Sequence, residues 1–377
     1  MNIDPHEIFL NLVRFGIGVS ADVENIQGLY WPQIKALADR QGLGAIVLDA
    51  LNQDDTIFAN EIPLQLKLEW IGDVIQGEQK YQRHQEVAEN MAKYFITNGI
   101  RTFVIKGRVI SECYPRPDHR VSCDMDCYLI NATNNLNGPF SNEQLRDHEE
   151  AWEKGNELMR RKKVEVRDDF YKNSIFRLSG LMVENHRYLI PFRGNRTLQR
   201  LETYLQSQFM VDIPELRKCG KFEDSELCRP PVMVSALLLI EHAYSHFLHE
   251  GLTWRFVLDW VLFSRKHWEV IDWHEFENCV DEFGFRKFYD AFARLGLYLV
   301  GELHFKSLTF RDSLMLKDIW APLDLHQTVR GVKGKLALAG NTWRARWKYR
   351  YFTEMNWIQA LWIQTKGVLF EKYPQLY

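Results

Sequence analysis

No two cysteines of the 377-residue chain are spaced CxxC; the six, at 113, 123, 127, 219, 228 and 279, are scattered, which argues against a zinc ribbon. No uninterrupted apolar run approaches the ~20 residues of a membrane span. The segment Met1 to Glu7 has neither the basic stretch nor the apolar run of a secretory signal. Net charge is small as well, −3 at pH 7, so no global field announces a nucleic acid or an acidic partner. These absences together lead us to expect a reduced, cytoplasmic protein.

What the chain has in quantity is apolar and aromatic side chains: 46% of residues are hydrophobic, with 12 Trp, 23 Phe and 15 Tyr. A large core follows, and the length suggests two or three domains of about 100–200 residues each.

The stretch from Thr102 to Ile130 organises the rest. Thr102 to Ile105 are β-branched or aromatic, Gly107 interrupts them, and Val109, Ile110 and Cys113 recur at helical spacing. Tyr114, Pro115 and Pro117 end that short helix. A second strand begins with Asp124, Met125 and Asp126. Positions two apart share a strand face, so Asp124 and Asp126 project together. Two adjacent carboxylates repel unless a cation lies between them, and Mg²⁺ is usually held by one or two carboxylates plus substrate phosphates.

Strand, Lys106-Gly107, short helix, Tyr114-Pro115, Arg120 and then Asp-x-Asp on a strand resembles the nucleotidyltransferases of the DNA polymerase β superfamily, most closely an uncharacterised bacterial branch. The resemblance implies that Gly107 opens a phosphate-binding helix, that Asp124 and Asp126 bind metal, and that a third carboxylate arrives on a later strand. Ser179-Gly180 is a turn signal joining Asn173–Leu178 to a following strand as a hairpin. On that strand the branch's Val-Glu-x-His pattern stands as Val183, Glu184, Asn185 and His186. Glu184 is thus the third acid and a possible general base, with His186 on its strand face. Lys106 and Arg120 are candidate phosphate partners, and Gly107 allows close backbone approach. Where many members have Gly-Ser, this chain has Gly107-Arg108.

Around this motif the fold class expected is α+β: a small mixed-sheet nucleotidyltransferase domain (100–192) between N-terminal (1–99) and C-terminal (193–377) helical regions. In the first region a long helix runs from the start signal at Glu61-Ile62-Pro63 to a stop at Asn98-Gly99. An Asn/Gly/Pro-rich loop spans 131–141, and a charged helix to Lys163 ends in the cationic run Arg160 to Lys163. In the third region Pro230-Pro231 introduces an apolar helix over Val232 to Leu248. It carries His242 and His246 with His249 just beyond, on one face, but without the glutamate of a zincin. The branch often has His-x-x-x-His followed by Trp and Asp, here His242, His246, Trp254 and Asp259; packing is the reading preferred for them. Further helices are expected over 273–283, 286–300 and 313–320.

The expected activity is transfer of a nucleoside monophosphate from an NTP to an acceptor hydroxyl, with Mg²⁺ (or Mn²⁺) as the ion held by Asp124, Asp126 and Glu184. Two rivals belong to other classes. One is a catalytically silent nucleotidyltransferase fold serving as a binding or regulatory module, for which Glu184 would point into a core. The other is a nucleic-acid scaffold using 330–351, where Lys333, Lys335, Arg344, Arg346 and Lys348 alternate with Trp343, Trp347, Tyr349 and Tyr351; it requires an exposed stripe.

Overall fold

The computed structural model describes residues 4–20, 29–53, 61–122, 124–132, 142–169, 171–192, 194–211, 225–321, 340 and 343–363. The loop read at 131–141 lies outside these after Ala132, as does most of 330–342.

Three short helices open the chain: α1 (Pro5–Gly16), α2 (Trp31–Arg40) and α3 (Gly44–Gln53). Asp4 caps α1 by accepting from the His6 N–H at 3.0 Å. Helices α1 and α3 approach so closely at Gly16 that a Cβ there would lie 2.1 Å from the Ile46 carbonyl oxygen. Because that neighbour is backbone, Gly16→Ala is expected to cost about 2–3 kcal/mol by forcing the pair apart. Chemical denaturation measures it, and a loss under half a kcal/mol would show that the contact yields.

The long helix α4 (Leu64–Thr97) follows. Pro63, anticipated in its first turn, sits just before it as the N-cap residue, its carbonyl accepting from Lys67 N–H at 3.0 Å. The far end stops at Asn98-Gly99, with Gly99 at φ +77°, a conformation that favours glycine. Trp70 of α4 is buried and donates to the Gly44 carbonyl at 2.9 Å, tying the long helix to α3.

The sheet is six-stranded and mixed. Its strands are β1 (Ile100–Val104), β2 (Asp124–Asn131), β3 (Val166–Asp169), β4 (Asn173–Leu178), β5 (Leu181–His186) and β6 (Leu227–Cys228). They lie in the order β3-β4-β5-β2-β1-β6. A short helix α5 (Arg108–Ser111) separates β1 from β2, which pair antiparallel. Helix α6 (Asn142–Arg161) carries the chain across, so that β5 pairs parallel with β2. β6 adds to the outer edge of β1 in parallel. Strand β2 is buried on both faces from Met125 to Ile130, as a central strand covered by helices must be. Fully buried His148 of α6 stacks on Tyr128 and bridges the carbonyls of Leu129 and Arg187 at 2.7 and 2.9 Å.

Helices dominate again from α7 (Arg196–Val211): α8 (Val232–His249), α9 (Trp254–Lys266), α10 (Trp273–Glu282), α11 (Arg286–Leu299), α12 (Phe310–Trp320) and α13 (Arg346–Phe352). Helix α12 starts three residues before the expected Ser313, because Thr309 and Asp312 form a capping box. The two helical regions meet directly. Arg14 of α1 donates to the Leu299 and Tyr298 carbonyls, each at 2.8 Å, and so caps the C-terminal end of α11. No helix among the described residues is long and apolar enough to cross a membrane.

Of the basic aromatic segment, Arg344, Arg346 and Arg350 are exposed, but Lys348 is fully buried against Asp318, and Tyr349 is buried too. The exposed stripe that the scaffold reading requires is therefore broken at Lys348, whose ammonium finds a carboxylate inside the helical region.

Candidate active site

The site begins where β1 ends. Gly107 adopts φ +55°, the left-handed region where glycine is strongly preferred, and the chain reverses into α5. Returning on β2, Asp124 and Asp126 come up on one face. Parallel pairing sets Asp126 opposite Glu184 and Tyr128 opposite His186. The register of β5 is fixed by its hairpin with β4, where Ser179 and Gly180 both have positive φ, +46° and +94°, as a tight primed turn demands.

Three of the expected residues meet: one ligand atom each from Asp126, Glu184 and His186 lie within 4.8 Å of one another. His186 is fully buried, its Nε2 2.7 Å from Asp126 and 3.5 Å from Glu184, while Nδ1 lies 3.1 Å from the Tyr188 carbonyl. A carbonyl only accepts, so Nδ1 carries a proton. Nε2 then either donates to Asp126 from an imidazolium or offers its lone pair to a cation at the same point. Glu184 also accepts from Asn173 Nδ2 at 2.8 Å and is half-buried rather than pointing into a core. Lys106 approaches Asp126 at 3.4 Å. Asp124 lies outside the tight group but close enough to feel it.

Charge divides the carboxylates. Burial alone would raise Asp126, but Lys106 and His186 outweigh it and hold the group well below the usual carboxylate range. The hydrogen bond to His186 lowers Glu184. Asp124 moves the other way, pushed up by burial and then by Asp126 and Glu184. The cluster therefore has a shortage of positive charge that falls on Asp124.

A cavity of ≈ 560 Å³ opens over these groups, and helix α8 forms its far wall with Glu241, His242, His246 and His249. Arg120, read as a phosphate partner, is committed: Nε and Nη2 form a two-point fork on Asp259 of α9, both at 2.8 Å, while Tyr114 donates to Asp259 at 2.7 Å and Nη1 is 3.4 Å from the Gly107 carbonyl. Arg120 and Asp259 thereby fasten the glycine turn to the C-terminal helices. His242 and His246 face the cavity edge to face, and His246 pairs with Glu250 at 2.7 Å.

Two cavity groups, Lys172 and Glu241, were not anticipated. Lys172 is depressed by burial and by Lys106, and Asn173, outside the cavity lining, reaches the site through its hydrogen bond to Glu184. Glu241 had a signal, as the single acid within the apolar run Val232 to Leu248. Lys172, in a turn before a strand, had none. The first helical region also supplies chemistry its sequence did not display. Asp49 and Glu78 flank His119 at 2.7 and 2.8 Å, and Glu78, Asp118 and His119 form a second close group. There Arg116 pairs with Glu78 and Asp118, so these side chains form an ion-pair network.

The fold is α+β, a six-stranded mixed sheet with helical regions before and after it in the chain. A family model described as uncharacterised nucleotidyltransferase matches residues 27–301, most of the chain, and the chain belongs to that family. No curated protein and no solved structure matches it.

Proposed function

We propose that the chain is a Mg²⁺-dependent nucleotidyltransferase that moves a nucleoside monophosphate from an NTP to an acceptor hydroxyl, on the plan of the polymerase β superfamily. The observation that carries the reading is the convergence of Asp126, Glu184 and His186 in the cleft, with Asp124 on the same strand face. The donor set suits a hard divalent ion, since carboxylates dominate it, and Asp124 is pushed up by burial and by the neighbouring Asp126 and Glu184. Asp124 and Asp126 would hold the metal, which when bound polarises the α-phosphate and lowers the pKa of the acceptor hydroxyl.

The remaining work falls to the chain. Lys106 and Lys172 line the cleft and offset phosphate charge, while the Gly107 turn lets the backbone come close. The acceptor oxygen forms a bond to the α-phosphorus, and the bond from that phosphorus to the bridging oxygen breaks. Pyrophosphate leaves with the electron pair. The acceptor proton passes to Glu184, oriented by Asn173 and His186, and on to solvent.

The test is thermal unfolding with each NTP, with and without Mg²⁺. Stabilisation by at least one NTP in Mg²⁺, about 2.7 kcal/mol at a hundredfold excess over Kd, should disappear in Asp124→Ala/Asp126→Ala. Flat curves with every NTP in the folded wild type would overturn the reading.

A further inference from the structure

The cleft does not end at α8. Pro191, Glu241, Ser245 and His249 line it and also line a second cavity of ≈ 620 Å³, so the two adjoin through one set of residues. The second cavity differs in character. Its walls include Tyr171, Tyr244, Phe283, Phe285 and Tyr349, and its acids are of two kinds. Asp281 is tied to Arg286, Glu282 to Arg200 and Glu354 to Lys287. Glu241, at the junction, is only 6% exposed. Among the described residues Lys172, Lys106 and His246 act on it through charge at a distance, and no hydrogen bond reaches its carboxylate.

A buried carboxylate without a hydrogen-bond donor is costly and is best understood as awaiting one. A polyphosphate cannot supply it, and the cations around this cavity are already engaged by acids. The complementary ligand brings an ammonium, which both the carboxylate and aromatic faces attract, together with an apolar body for the walls. Resting on the nucleotidyltransferase reading, we propose that this cavity is the acceptor site. It takes a small amino alcohol with an aromatic or aliphatic body: ammonium at Glu241, body among the aromatic side chains, hydroxyl directed back toward Asp126 and Glu184. The Glu241 carboxylate at this junction repels phosphodiesters, which disfavours an RNA end in the same role.

L-phenylalaninol has these three parts, and 3-phenyl-1-propanol lacks the amine alone. Calorimetric titration of the full chain, carrying Mg²⁺ and a non-transferable α,β-methylene NTP, is expected to show phenylalaninol binding and the neutral alcohol weaker by about tenfold or more. Glu241→Gln, of the same shape, should weaken phenylalaninol to a similar degree while leaving Mg²⁺–NTP stabilisation intact. Ser245→Phe, which fills the junction, should abolish phenylalaninol binding and serves as the second variant. Equal affinity for the two alcohols, indifference to Glu241→Gln, or no binding at millimolar concentration overturns the proposal. So does mutual exclusion of phenylalaninol and nucleotide, which would give the cavity to the nucleobase. In each case Mg²⁺–NTP stabilisation, read separately, tells whether the donor reading stands.

Discussion

Asp126→Asn is expected to lower nucleotidyl transfer by about a thousandfold, several kcal/mol of transition-state stabilisation, and also to destabilise the metal-free protein by about 3 kcal/mol. Asp124→Asn should match the first effect and reverse the second. The difference follows from the opposite shifts of the two groups. Asp126 is held low by Lys106 and His186 against its burial. Its ionised form therefore stabilises the fold above the unfolded pKa of about 3.9, and that contribution is lost as pH falls through the lower folded value. Asp124 is raised by burial and by its acidic neighbours. Its charge costs stability at neutral pH, and the cost disappears as pH falls through the raised value. Substituting it should stabilise the metal-free protein by about 1 kcal/mol. Urea unfolding of both variants without metal, together with a pyrophosphate-release assay, checks the pair. Equal destabilisation by the two substitutions would remove the basis for treating Asp124 as the charge-starved member.

The second large effect is in the helical region. Lys348 is fully buried, its Nζ donating to Asp318 at 2.8 Å and to the Phe247 carbonyl at 2.6 Å, with the Phe247 ring 4.6 Å away. Burial lowers the lysine and raises the aspartate, and each partner offsets the other's shift. Lys348→Ala leaves Asp318 buried without its cation and should cost about 3–5 kcal/mol. Lys348→Met/Asp318→Leu, which removes both charges and keeps much of the volume, should return most of that. A denaturation double-mutant cycle measures the coupling; additive losses would mean that the two groups do not depend on each other.

Much of the architecture was legible because it rests on local signals. Strand periodicity set Asp124 and Asp126 on one face, Ser179-Gly180 marked the hairpin, and Asn98-Gly99 stopped the long helix. Those rules operate within a few residues. Arg120 shows where they fail: in sequence it is a cation in a loop, and its commitment to Asp259, 139 positions away, depends on how α9 packs. Lys172 and Glu241 join the cleft for the same reason. Asp49 and Glu78 were passed over because their partner, His119, lies on the other side of β1. Lys348 stood in sequence among the cations of a basic aromatic segment, where docking on the protein itself was the commoner expectation. Its buried counter-ion could not be named, because a charged residue that finds one looks in sequence like any other.

The parallel register that sets Asp126 opposite Glu184 has a consequence for how such a chain can change over generations. Side chains alternate along a strand, so inserting or deleting one residue within β2 or β5 sends the residues beyond it to the opposite face and separates the acids. Away from the positions that face the cleft, these two strands can exchange one apolar side chain for another of similar size where they are buried, but a change of length cannot be absorbed. Drift in length is thus confined to the connections between β2, α6 and the β4–β5 hairpin, and a homologue's strand lengths should prove more constant than its amino acids.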